Sequence, residues 1–172
     1  MTKEKSLLTS MGSQPIQRIV QFHVEVGADL LKAIEEAVTR EKIKSGVFVS
    51  GLGALSKGVF RNLIHFPKEY PVRDDNRLYL NLEAPLELVS LGGWVASKTD
   101  GTPEIHCHFS ASTVVEDTVT TLGGHLTYGT IAGIKVVVAA ASVGGQVGAA
   151  EHANLHLTFD YQCQGDSILV AA

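Results

Sequence analysis

Gln17-Arg-Ile-Val-Gln-Phe-His-Val-Glu-Val26 runs, across Gly27-Ala28, into Asp29-Leu-Leu-Lys-Ala-Ile-Glu-Glu-Ala-Val-Thr-Arg-Glu-Lys-Ile43. Two periodicities meet there. Up to Val26 the pattern alternates: Val20, Phe22, Val24 and Val26 share one face, and Gln17, Gln21, His23 and Glu25 the other. That is a strand with one buried face. From Asp29 the apolar spacing changes to three and four. Leu30, Leu31, Ile34, Ala37 and Val38 form one stripe of a helix, with Asp29 as its N-cap and Gly46 just past its end. The helical spacing does not return. Val47–Leu55, Lys57–Phe66, Leu78–Leu82, Leu86–Ala96, Glu104–Thr113, His125–Ile131, Ile134–Val143 and Asn154–Cys163 all read as strands. Tight turning is expected at Gly51–Gly53, a surface loop at Pro67–Arg77, a hairpin turn at Lys98–Pro103 around Asp100-Gly101, and a flexible loop at Gly144–Gly148. One principal helix and about eight strands on short links mean an α+β fold, mainly antiparallel. A doubly wound nucleotide-binding fold needs several crossover helices and is excluded.

The 172 residues fit a single domain, read as residues 15–172 after a polar, aperiodic and flexible tail over residues 1–14. At 45 % hydrophobic and 19 % charged, the composition is that of a globular chain. The net charge of −4 argues against strong non-specific attraction to a phosphate backbone. The charge is uneven: residues 1–77 hold 12 Lys/Arg against 9 Asp/Glu, and residues 78–172 hold 2 against 9. Two cysteines, Cys107 and Cys163, are too few for a disulfide framework. No apolar run is long enough for a signal peptide or a membrane span, so a soluble cytoplasmic protein is expected.

The segment richest in chemistry is Glu104-Ile-His-Cys-His-Phe-Ser110. On a strand, Ile105, Cys107 and Phe109 share one face while Glu104, His106, His108 and Ser110 share the other. Same-face neighbours stand roughly 6.6 Å apart along a strand, and two imidazoles at that spacing can converge on one ion. Cys107 points away from it. A third histidine follows in Leu122-Gly-Gly-His-Leu126, where the glycines permit a sharp turn or a close approach to another element. If the two segments are neighbours, His106, His108 and His125 form a three-imidazole site with a coordination position left open. The same pair can also be no more than a strand's polar face. His23, His65 and His152 lack partners at useful spacing and read as solvated. His156 reads as at most a rim residue. Arg18, Arg61 and Glu87 lie on strands where burial would demand a partner, either a structural ion pair or a ligand contact. Ser50-Gly-Leu-Gly-Ala is short of a dinucleotide fingerprint, and no phosphate loop or nucleophile elbow occurs.

Taken together, the strand and helix Arg18–Ile43, Val49-Ser-Gly-Leu-Gly-Ala-Leu55, Leu86-Glu-Leu-Val-Ser-Leu-Gly-Gly93, His106-Cys-His108 and Gly123-Gly-His-Leu126 resemble one family. It is the plants-and-prokaryotes-conserved (PPC) domain of plant AT-hook nuclear-localised proteins and of prokaryotic single-domain proteins. The resemblance covers about residues 16–145. It implies a homotrimer, and it implies that His106, His108 and His125 bind one divalent transition metal, with zinc as the first choice. The chemistry then open to the domain is metal-dependent binding of a small molecule, or its catalysis through activated water or a polarised substrate oxygen. Glu104 and Glu87 are the candidates for a general base, and Arg61 and Arg18 for holding an anionic substrate. The alternative is a DNA-associated or regulatory protein whose domain oligomerises and docks partners. The Arg-Gly-Arg-Pro hook of the plant proteins is missing, so no specific nucleic-acid binding is expected. The segment Ser110–Leu122 is longer and more apolar than the family suggests, and forms a loop near the site.

Overall fold

A computed structural model describes Leu7 and residues 13–69, 71–98 and 100–144. The strand expected at Asn154–Cys163, with His152 and His156, lies outside these residues. So do most of the expected tail and all but the first residue of the glycine loop 144–148.

Eight strands and one helix follow in the order β1 (Ile16–Val24), α1 (Leu30–Arg40), β2 (Gly46–Leu63), β3 (Arg77–Leu82), β4 (Leu86–Ser97), β5 (Pro103–Val115), β6 (Thr118–Leu126), β7 (Ile131–Ala132) and β8 (Val136–Val143). Every pairing is antiparallel, with strand order β1-β8-β2-β4-β5-β6. The sheet also meets itself. The far end of β2 pairs with β6 through Phe60↔Leu126 and Arg61↔His125, so β2, β4, β5 and β6 close a ring. The closed sheet packs Phe60 on Phe109 with ring centroids 4.6 Å apart, among Leu88, Leu91, Cys107 and Leu126. The helix adds Leu30, Ile34 and Val38, all at most 1 % exposed. Burying each such aliphatic side chain is worth about 1.5–3 kcal/mol. This is the expected α+β architecture, a mostly antiparallel sheet with one helix.

Local chemistry accounts for the ends of the helix. The Asp29 side chain accepts from the backbone N–H of Lys32 at 3.1 Å and from that of Gly129 at 2.6 Å, capping α1 and tying it to the loop after β6. At the other end Lys42, not Gly46, takes the left-handed conformation at φ 53°. Ile43 N–H then reaches Val38 C=O and Lys42 N–H reaches Thr39 C=O, which closes the last turn. Gly46 instead opens β2. Val26 lies beyond the end of β1 and is exposed.

Further readings of the sequence need correction. Val47–Leu55 and Lys57–Phe66 are one continuous strand, β2, with no turn at Gly51–Gly53. Gly53 is there for a different reason: at φ +141° its missing side chain admits the Lys135 carbonyl, 2.2 Å from where a Cβ would stand. The segment Ser110–Leu122 is no loop but the tip of a hairpin. β5 runs on to Val115, Glu116 and Asp117 turn at φ 47° and 60°, and β6 returns from Thr118. Both turn residues occupy the left-handed region that a two-residue hairpin of this hand requires. His125 therefore ends a strand instead of beginning one. Part of the expected loop Pro67–Arg77 is ordered as well. A single 3₁₀ turn at Asp74–Asn76 leads into β3, and the buried Asn76 side chain hydrogen-bonds the His65 ring at 3.0 Å.

Candidate metal centre

The hairpin fixes the histidines. Counting back from Glu116-Asp117, His108 falls opposite His125. His106 is two residues earlier on the same face of β5. Their ligand atoms all lie within 4.8 Å of one another. The Nε2 atoms of His106 and His108 are 3.1 Å apart. Two nitrogens each about 2.0–2.1 Å from one ion at the tetrahedral angle stand about 3.3 Å apart, so this pair fits a shared zinc-sized ion. The His125 ring is edge-on to both others, with centroids at 4.6 and 5.0 Å. Gly124 lets this happen. A Cβ there would meet Arg61 backbone atoms at 3.1 and 3.2 Å, so the missing side chain allows β6 to approach β2 closely. Asn62 seals the junction by donating to Gly123 C=O at 2.8 Å.

Two neighbouring strands complete the site. Trp94 of β4 faces His106 across the ladder, its ring stacked at 4.1 Å and 8°. Arg61 of β2 faces His125 and is 7 % exposed. Burial, then the adjacent histidine and arginine charges, hold the imidazoles neutral. The pKa of His106 falls to about 4 and that of His125 to about 2, with burial the largest cause in each. His108 is lowered by burial and by Arg61. Neutral imidazole is the form that binds a metal.

These shifts set the pH dependence of the metal-free fold. Below about pH 6.5 histidines of the unfolded chain take up protons that the half-buried His106 and His125 resist. Stability is therefore full above that pH and falls as the pH drops from about 6.5 toward 4. The expected slope is at most about 1.4 kcal/mol per pH unit for each histidine, and less where solvent screens these half-exposed rings. Urea midpoints of metal-free protein between pH 7 and 4 check this. A flat profile would mean that the imidazoles protonate freely in the folded state.

Of the candidate bases, Glu104 lines a pocket of about 140 Å³ together with His106, His125 and Arg61. Glu87 does not reach the histidines. It lies five residues along β4 from Gly92, the partner of His108, or roughly 16 Å at about 3.3 Å per residue. Arg61 stands beside the histidines, whereas Arg18 is on β1 and bound to Glu41 at 2.6 Å. Cys107 faces the core, where burial pushes its thiol pKa up. Sequence reasoning missed Trp94 and Arg77. Counting outward from Asp100-Gly101 as a two-residue turn would have set Trp94 opposite Cys107; the register instead centres on Asp100 and brings Trp94 to His106. Nothing local marks Arg77, which comes near through the pairing of β3 with β2. Among the described residues no helix is long and apolar enough to cross a membrane.

With this geometry established, comparison with known proteins identifies the fold. Among curated proteins none matches the chain. Solved structures do. A metal-containing protein from Archaeoglobus fulgidus is 23 % identical, with a TM-score of 0.63 over 80 % of this chain and 87 % of its own. A plant- and prokaryote-conserved protein from Pyrococcus horikoshii is 26 % identical, with a TM-score of 0.61 over the same shares. A protein from Bacteroides thetaiotaomicron that carries the name "putative DNA binding protein" is 18 % identical, with a TM-score of 0.60 over 78 % and 85 %. The sequence profile described as the Plants and Prokaryotes Conserved (PCC) domain matches residues 11–144, so the chain belongs to that family.

Proposed function

We propose that this protein is a cytoplasmic homotrimer with a metal centre at His106, His108 and His125, serving metal-dependent binding or conversion of a small molecule. The observation that carries this reading is the convergence of three neutral imidazole nitrogens within 4.8 Å at the edge of a pocket. The metal-containing neighbour from Archaeoglobus fulgidus supports it. Zinc is the first choice, since three nitrogens with an open position is the ligand set of its catalytic sites. When bound, the ion would supply an electrophilic centre for a substrate oxygen. The chain's own residues do the rest. Trp94 covers one face of His106 and fixes its ring. Glu104 is placed to take or return a proton in the smaller pocket. Elemental analysis of untagged protein tests the centre, with about one first-row metal per chain expected. Metal-free protein as isolated, taking up none on addition of zinc, would refute it.

The trimer is proposed on the family likeness and on exposed aliphatic side chains in the middle of the sheet. Val49 and Leu52 of β2 and Val89 of β4 are 57 %, 56 % and 49 % exposed, on strands flanked by others on both sides. Such a face is suited to cover by another subunit. Sedimentation should show a trimer at micromolar concentration, weakened by Val89→Asp; a wild-type monomer would end this reading.

The DNA-associated alternative has the name of the Bacteroides neighbour in its favour. Against it, α1 buries its apolar stripe, and its outer face mixes Glu35 and Glu36 with Lys32 and Arg40. Sub-micromolar binding to one duplex over scrambled competitors at physiological salt would favour that alternative.

A further inference from the structure

Arg61 is a buried cation in need of a counter-ion. It is 7 % exposed, and among the described residues no hydrogen bond or ion pair engages its guanidinium. No side-chain nitrogen of the described residues is both fully buried and without a partner, so the guanidinium opens onto the pockets beside it, where an anion can meet it. The three histidines beside it offer no negative charge, since an imidazole is neutral or cationic.

Two pockets touch Arg61, and they differ in chemistry. The smaller is lined by Glu35, Glu104 and Lys98 among others. The larger, about 320 Å³, brings Arg61 and Arg77 together with all three histidines, and no carboxylate lines it. Arg77 is held in place there by Asp74 at 3.2 Å and by the Val72 carbonyl at 3.1 Å, so its positive charge is fixed at the rim. Arg61 disfavours a cationic ligand and attracts an anion, as would an ion held by the histidines, while the charge of Arg77 is partly offset by Asp74. A volume near the lower end of small-molecule sites limits the ligand to a modest size. The guanidinium fork matches the paired oxygens of a carboxylate or phosphate.

We propose that this pocket is a receptor for a small oxyanion, carboxylate or phosphate, gripped by Arg61 and directed at the ion that His106, His108 and His125 would hold. The proposal rests on the metal reading for the position of the ion, but not for the role of Arg61. It makes Arg61 the residue that selects for charge on the substrate, with Arg77 adding to the field.

The test uses full-length protein loaded with cobalt(II), with metal content measured in parallel. Inorganic phosphate and acetate are the probes, followed by cobalt absorption and by calorimetry. Wild-type protein should bind at least one probe below about 10 mM. Arg61→Gln should keep its cobalt yet lose at least about tenfold in anion affinity, and Arg61→Lys should recover part of it. If Arg61→Gln does not fold, Arg61→Lys carries the comparison, with weaker binding than wild type expected. Full cobalt loading without any response to either probe would overturn the oxyanion site and leave the metal centre standing. So would equal anion affinity in wild type and the Arg61 variants. If no cobalt binds, the metal reading fails, and calorimetry of phosphate on metal-free protein decides: Arg61-dependent binding supports the receptor, and no binding overturns it.

Discussion

Replacing His125 by alanine is expected to abolish stoichiometric metal binding and leave the fold intact. The three histidines come from two strands, with His106 and His108 on β5 and His125 alone on β6. Without His125 only two imidazoles remain. Loss of a supporting partner around a metal typically costs about 10–100-fold in affinity, and loss of a ligand should exceed about 100-fold. The backbone has little reason to move, because the close approach of β6 to β2 depends on Gly124 and on the Asn62 bond to Gly123. The protein provides its own reporter. Its one tryptophan, Trp94, stacks on His106. Its fluorescence should respond to zinc in the wild type and stay unchanged in the variant over the same range. A folded His125→Ala protein that retains a full complement of metal would place the site elsewhere.

The adjacent glycines of Leu91-Gly-Gly-Trp94 are expected to behave as opposites. At Gly93, φ is +150°, and an added Cβ would stand 2.0 Å from the His106 carbonyl and 2.8 Å from the Cys107 Cα. Neither atom can swing aside, since both belong to the backbone of β5. Backbone strain of about 1–3 kcal/mol and overpacking of about 1–3 kcal/mol would together remove a large part of a typical 5–15 kcal/mol of stability. Gly93→Ala should therefore be largely unfolded or metal-free, with the strand carrying His106 pushed off β4. At Gly92 a Cβ meets nothing within 4 Å. Gly92→Ala should stay within about 0.5 kcal/mol of wild type, as surface substitutions usually do. Urea midpoints of the two variants side by side make the comparison. Similar midpoints would show that the β4–β5 approach is not as close as described.

Much of the site was legible because strand geometry is local. Alternation along Glu104–Ser110 put His106 and His108 on one face and Cys107 on the other, and the structure has them so. The partner of the pair was harder to see. Glu116-Asp117 lacks the glycine or asparagine that marks most two-residue hairpins, so the turn that pairs His108 with His125 passed for part of a loop. Likewise Gly51–Gly53 read as a turn, because glycine makes turns and close backbone crossings equally possible, and a sequence does not say which. The crossing partner of Gly53 is Lys135, more than 80 residues away.

The sequence by itself determined the elements: one amphipathic helix capped by Asp29, strands of alternating polarity, and the histidine pair on a single face. These depend on side-chain periodicity and on bonds between near neighbours, which act whatever the rest of the chain does. Tertiary structure decided what the histidines face. Arg61 meets His125 only because β2 is long enough to pair with β4 at one end and β6 at the other. Its burial, the neutrality of the imidazoles and the anion-attracting pocket follow from that closure. Desolvation and charge act between groups that are close in space, and closeness across 64 residues of chain is a property of the closed sheet, not of any local pattern.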